Sequence, residues 1–95
     1  MNQELKQQGE LKYIPLEDTE NYFYSFDLGL CAALVSLGFP LASLDKENPN
    51  KVRFIFRKAT GIDKSIADYW AGELEIRARA YFENIKMLKN RIFSY

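Results

Sequence analysis

The basic residues in the second half of the chain are the ones whose types and spacing best suit binding chemistry. Four of them, Lys51, Arg53, Arg57 and Lys58, lie within eight residues that contain no acid. Arginine on the open face of a strand, or a basic helix face, can contact the phosphates of a nucleic acid. An ordinary solvated surface is the alternative. The candidate polyanion site is completed on or before the last predicted helix by Arg77, Arg79, Lys86, Lys89 and Arg91.

A second set of candidate residues is mainly aromatic and suits a protein interface. The chain has six Tyr, seven Phe and one Trp. Tyrosine and tryptophan are typical of interface cores, because their rings bury apolar area while their polar tips find partners. The sequence leaves open whether these rings form an interface between two copies or fill one monomeric core. The candidate interface residues are Tyr13, Ile14, Leu16, Tyr22, Tyr24, Tyr69, Trp70 and Tyr95.

The same sequence favours a function without catalysis. It has no histidine, which is the commonest general base and metal ligand, and one cysteine. That cysteine, Cys31, lies in an apolar segment and is expected to be a small buried side chain. Asp63 and Asp68 lack the spacing that would put two carboxylates on one helical face. We therefore predict no enzyme activity, no cofactor and no metal.

The charge balance differs between the two halves of the chain. Thirteen basic and thirteen acidic residues give a net charge of zero. Residues 1–50 carry three bases and eight acids, whereas residues 51–95 carry ten bases and five acids. This split predicts either an electropositive face for a polyanion or an acidic half that folds against a basic one.

No segment predicts contact with a membrane. The longest apolar stretch, residues 28–39, is interrupted by Gly29, Ser36 and Gly38 and is too short to span a bilayer. The first ten residues are polar and lack the apolar region of a signal peptide. We therefore expect a cytoplasmic protein, in the producing cell or in an infected host.

The elements that must position the candidate residues begin after a polar arm, residues 1–20. In the single domain over residues 21–95, the aromatic run at 22–26 predicts a strand. Asp27 is of the type that caps a helix N-terminus, and Gly38 of the type that ends one. An apolar, buried helix is therefore expected between them.

A hairpin follows, with strands over residues 40–45 and 51–58. In its second strand Phe54 and Phe56 alternate with the basic residues, which predicts one covered and one open sheet face and places Ile55 on the open one. Phe54 and Phe56 are therefore core residues rather than a base-stacking platform.

Two helices complete the domain. Thr60 or Asp63 is expected to cap the first, and Gly72 to end it. The second is predicted over residues 78–94, with Phe82 on its apolar stripe. The order β-α-β-β-α-α predicts an α+β fold, a small three-stranded sheet with helices on one face.

Several short strings occur along the chain in a recognisable order. They are FDLGL at 26–30, LGF at 37–39, LD at 44–45, NP at 48–49 before Val52, FIF at 54–56, YW at 69–70 with GEL at 72–74, and YF at 81–82 before Lys86, Leu88, Lys89, Arg91 and Ile92. Together they resemble, over residues 22–95, an uncharacterised family of small bacterial and bacteriophage proteins. The resemblance implies a bacterial or phage origin but no site residues, because the family's function is unknown.

These observations lead to one leading expectation and two alternatives. We expect a small, non-catalytic, self-associating interaction module of phage or bacterial origin, which forms a homodimer or binds another protein. Nucleic-acid binding through the basic strand 51–58 and the basic last helix is the first alternative. A sponge for a small anionic signal molecule, held between subunits, is the second.

Overall fold

Three strands and three helices follow one another in the predicted order. The computed structural model describes residues 18–94, so Tyr13, Ile14, Leu16 and Tyr95 lie outside the described residues. The strands are β1 (Tyr22–Ser25), β2 (Leu41–Asp45) and β3 (Arg53–Arg57), and the helices are α1 (Leu28–Ser36), α2 (Ile62–Ala71) and α3 (Ala78–Ile92). The predicted α+β class and the order β-α-β-β-α-α are confirmed.

β3 is the central strand of the sheet and pairs antiparallel with β1 on one side and β2 on the other. Tyr22 lies opposite Arg57 in the first pairing, and Asp45 lies opposite Arg53 in the second. Because successive side chains of a strand point to opposite faces, this register brings side chains from all three strands onto one face of the sheet.

Helix α1 is enclosed on all sides. Its N-terminus begins as predicted, since Oδ1 of Asp27 accepts a hydrogen bond from the backbone N–H of Leu30 at 2.8 Å. The five residues from Leu30 to Leu34 are at most 1% exposed, which requires neighbours around the whole helix. Gly38, with φ 101°, then lets the chain turn so that Phe39 N donates to Leu34 O at 3.0 Å.

The core lies between the helices and one face of the sheet. Phe54 and Phe56 of β3 are fully buried there, in one cluster with residues of α1, Ile62 of α2 and Leu88 of α3. The side chains that alternate with these two phenylalanines point away from the helices. The helices therefore lie on one face of the sheet, as the alternation predicts, and β3 presents its arginines on the other.

The prediction that Thr60 or Asp63 caps the N-terminus of α2 is wrong. Gly61, with φ 89°, occupies the N-cap position, and no side chain caps the helix. Asp63 lies in the first helical turn instead, where its charge faces the positive end of the helix dipole. The C-terminus is as predicted, because Gly72 adopts a left-handed conformation with φ 74°.

The predicted apolar stripe of α3 is also corrected at one position. Phe82 is 60% exposed rather than packed in the core. It lies six positions before the buried Leu88, which at 3.6 residues per turn places Phe82 about 120° around the helix from the buried side. Among residues 18–94, none of the helices combines the length and the apolar character needed to traverse a lipid bilayer.

Candidate functional site

The open face of the sheet carries three pairs of an aromatic ring and a cation, and we call this set the aromatic–cation ladder. Each cation lies over the ring of its partner at a distance that permits a cation–π interaction. Measured from the cationic atom to the ring centroid, the pairs are Arg57 Cζ over Tyr22 (5.2 Å), Arg53 Cζ over Tyr24 (5.0 Å) and Lys51 Nζ over Phe26 (4.7 Å).

Two alternations and one strand register build this ladder. Tyr22 and Tyr24 share a face because side chains alternate along β1, and Phe26, which follows the strand, joins them through its contact with Lys51. Arg57 lies directly opposite Tyr22, whereas Arg53 reaches Tyr24 diagonally, because the residue opposite Tyr24 is Ile55. The ladder therefore joins residues predicted separately as a polyanion site and as an interface.

Ile55 lies beneath the ladder. It points to the face that the sequence predicts, yet it is only 4% exposed and is not part of the cluster that packs against the helices. Arg53 and Arg57 flank it along β3, and Tyr24 lies opposite. The two arginines are placed to cover it, since the apolar portions of such long side chains can lie along a sheet while their charged ends reach solvent.

The charges of the ladder are only partly compensated. Arg53 Nη2 forms an ion pair with Asp45 Oδ2 at 3.0 Å, between two half-buried side chains. Within residues 18–94, no acid forms an ion pair with Lys51, Arg57 or the adjacent Lys58. Among residues 18–94, the open face therefore carries positive charge that no acidic side chain compensates.

A shallow groove of about 220 Å³ adjoins the Phe26 end of the ladder. It is lined by Phe26, Asp45, Glu47, Asn48, Lys51 and Arg53. The ring of Phe26 is 51% exposed despite its contact with Lys51. Its exposed part therefore offers an aromatic surface beside both acidic and basic side chains.

The remaining candidate basic residues lie on a different part of the molecule. Arg77, at the N-cap of α3, and Arg79, Lys86, Lys89 and Arg91 within it are exposed. The core covers the opposite side of α3, and the ladder points away from that core. The structure therefore divides the nine candidate polyanion residues into a sheet group and a helix group.

The candidate interface residues are divided as well. Tyr22 and Tyr24 belong to the ladder, whereas Tyr69 packs against the core. Trp70 is exposed and meets the ring of Tyr69 edge-on, with 5.0 Å between centroids. Sequence reasoning missed Phe26 as a site residue, although its two-residue spacing from Tyr24 is a signal that could have found it.

The cysteine and the acidic side chains are the remaining groups whose chemistry the sequence raises. Burial raises the pKa of the Cys31 thiol to about 12, against a smaller opposing effect of a hydrogen bond from Ser25. Cys31 is therefore a neutral thiol at physiological pH. Within residues 18–94, no three side chains among Cys, Asp and Glu are grouped so that they could hold a metal ion.

The fold and this face define a small α+β domain with an open sheet face that is both aromatic and basic. The chain belongs to the family described as Domain of unknown function (DUF5659), whose model matches residues 20–94. The resemblance to a family of unknown function is thus confirmed. A search of curated proteins and a search of solved structures give no match to this chain.

Proposed function

We propose that this protein is a non-catalytic binding module whose aromatic–cation ladder holds a single-stranded nucleic acid. The observation that supports the proposal is the alternation of three rings and three cations on one open sheet face. Single-strand binding combines aromatic side chains, on which bases stack, with basic side chains that neutralise phosphates. The ladder offers both within one surface.

The charge of the ladder favours an anionic partner over a second copy of the same face. Two of its three cations, Lys51 and Arg57, have no ion-pair partner within residues 18–94. A two-fold interface would bring two such faces together and place like charges near each other. A phosphate backbone would instead neutralise these charges and release its counterions.

The rings of the ladder favour an unpaired strand over a duplex. In a duplex the faces of the bases are stacked on their neighbours, and only the base edges are accessible in the grooves. Tyr22 and Phe26 can stack only on bases whose faces are free. Ring positions two residues apart along a strand are about 6.8 Å apart, which is about twice the spacing of adjacent nucleotides along one strand of a duplex.

Fluorescence anisotropy with labelled oligonucleotides of about 12 nucleotides tests this function. We expect an oligo-dT strand to bind more tightly than a duplex of equal length, and binding to weaken steeply between about 50 and 200 mM salt. Tyr22→Ala should weaken binding at least fivefold, since stacking is worth about 1–3 kcal/mol per base. Arg57→Glu should weaken binding further because it reverses a charge.

The matched control for Arg57→Glu is Arg91→Glu, which makes the same charge change on α3. We expect Arg91→Glu to bind nearly as the parent does. Equal losses in both variants would indicate binding by overall charge and would contradict the assignment to the ladder. Equal affinity for the single strand and the duplex would contradict it as well. Displacement by a mononucleotide, but not by a longer strand, would favour the sponge for a small anionic signal molecule.

Self-association is a second candidate function, favoured by two exposed phenylalanines, Phe82 of α3 and Phe93 at its C-cap. Phe82 and Phe93 are 60% and 73% exposed, and their spacing of eleven residues places them on one side of the helix axis. Arg79, Glu83 and Lys86 give this outer surface charges of both signs. Two copies can therefore meet here without the uniform repulsion expected at the ladder.

Light scattering over a range of concentrations tests self-association. A mass approaching twice 11.1 kDa that falls in a Phe82→Ser, Phe93→Ser variant supports it. Leu37→Ser is the matched control, because Leu37 is also exposed but lies at the end of α1. A monomer at every concentration would exclude the dimer. The phage or bacterial origin and the cytoplasmic location stay predictions.

A further inference from the structure

The groove at the Phe26 end of the ladder has the size and the walls of a site for one flat ring. Its volume is about 220 Å³, and the exposed part of Phe26 forms an apolar wall. It opens beside Lys51 and Arg53, which belong to the ladder. A strand held on the ladder would therefore have one base within reach of the groove.

The polar groups of the groove differ in whether they are already engaged. Each oxygen of Asp45 already accepts one hydrogen bond, since Oδ2 pairs with Arg53 at 3.0 Å and Oδ1 accepts from the backbone N–H of Glu47 at 3.0 Å. Oδ1 of Asn48 accepts from the backbone N–H of Asn50, also at 3.0 Å. This bond orients the amide and leaves its Nδ2 protons as donors.

Among residues 18–94, the carboxylate of Glu47 is the acceptor of the groove that no ion pair engages. It is exposed, and within residues 18–94 no lysine or arginine forms an ion pair with it. An ionised carboxylate only accepts hydrogen bonds and has two oxygens with which to do so. The groove therefore combines a double acceptor, Glu47, with donors on Asn48 and Lys51.

Guanine is the base that matches this arrangement. Its Watson–Crick edge presents two adjacent N–H donors that suit a carboxylate, and a carbonyl oxygen that suits an amide or ammonium donor. Adenine and cytosine place a ring-nitrogen acceptor beside their amino group, which would face the carboxylate lone pairs. Thymine and uracil have one N–H between two carbonyls.

We infer that the groove lined by Phe26, Glu47 and Asn48 binds a single unpaired guanine of the strand held on the ladder. The inference rests on the proposed function, because the ladder must hold the strand for the groove to select a base. Stacking on Phe26 supplies affinity for any base, and the polar edge supplies the discrimination. The protein is thereby a single-strand binder with a preference at one position.

Oligo-dT strands of about 12 nucleotides in which the central base is replaced by G, A or C test the inference. A single guanine avoids the four-stranded structures that runs of guanine form. We expect the parent to bind the guanine strand about tenfold more tightly than the other three, which is within the range of one good base contact. Glu47→Gln should remove this preference, measured as the ratio of the affinity for the guanine strand to the affinity for oligo-dT, because the loss of one negative charge affects both strands alike.

Glu75→Gln is the matched control, because Glu75 is an exposed carboxylate in the loop between α2 and α3. It should keep the guanine preference. If all four strands bind the parent equally, the groove does not select guanine. That result would leave the proposed role of the ladder in binding single strands unchanged. If Glu47→Gln keeps the preference, the assignment of Glu47 is overturned. If no single strand binds at all, the proposed function itself fails.

Discussion

The hydroxyl of Tyr81 donates a hydrogen bond to the carbonyl oxygen of Gly29, at 3.3 Å and across 52 residues of sequence. A second hydrogen bond joins Tyr81 to Tyr69. Because the Tyr81 proton already points to Gly29, the Tyr69 hydroxyl is the donor in this second bond. The two tyrosines thus link α2 and α3 to the first turn of α1.

Substitution of Gly29 by alanine is expected to destabilise the fold. A Cβ atom at this position would lie 2.5 Å from Tyr69 Oη and 3.2 Å from Tyr81 Oη, so both hydroxyls would have to move. We expect Gly29→Ala to lower the free energy of unfolding by about 1–3 kcal/mol, as overpacking does. Urea denaturation measures this loss. The same substitution in a Tyr69→Phe background should cost less, and an equal cost in both backgrounds would contradict the role of the Tyr69 hydroxyl.

Stability should fall at high pH through Tyr69. Burial, followed by the hydrogen bond to Tyr81, raises the pKa of Tyr69 from 10.0 to about 12. As the pH rises from 10 to 12, the unfolded chain releases this proton before the folded chain does. The contribution of the protonated Tyr69 hydroxyl to the free energy of unfolding is therefore complete below pH 10 and is lost as the pH approaches 12. Denaturant midpoints across this range should fall more for the parent than for Tyr69→Phe, and parallel curves would rule the effect out.

Cys31 is expected to resist thiol reagents in the folded protein. Its raised pKa of about 12 leaves about one thiol in ten thousand ionised at pH 8, and the side chain is fully buried. A chromogenic disulfide reagent at pH 8 should react slowly with the native protein and rapidly with the protein in urea. Equal rates in the two states would show that Cys31 is accessible.

The N-cap of α1 should contribute measurably to stability. Asp27→Ala removes the acceptor of the Leu30 N–H bond and should cost about 0.5–2 kcal/mol of unfolding free energy. Asp27→Ser is the matched control, because a serine hydroxyl can accept the same bond and should keep most of the stability. An equal loss in both variants would show that the carboxylate acts through something other than the cap.

Caps explain why the sequence predicts some elements well and others poorly. Asp27 and Gly38 are local signals, each acting on residues within one helical turn, and they bound α1 as expected. The start of α2 depends instead on the backbone conformation of Gly61, whose φ is 89°. The residues around Gly61 in the sequence do not predict this conformation. The exposure of Phe82 depends on how α3 is rotated about its axis against the core. The spacing of apolar residues along α3 does not determine that rotation.

The sequence by itself determined the order of the elements, the alternation in β1 and β3, and the absence of histidine, because each of these is local or compositional. Only the tertiary structure decided that Tyr22, Tyr24 and Phe26 lie beside Arg57, Arg53 and Lys51. That proximity depends on the antiparallel register between two strands about thirty residues apart. Register is set by packing and hydrogen bonding across the whole sheet, so a one-residue slip would have placed the rings and the cations on opposite faces.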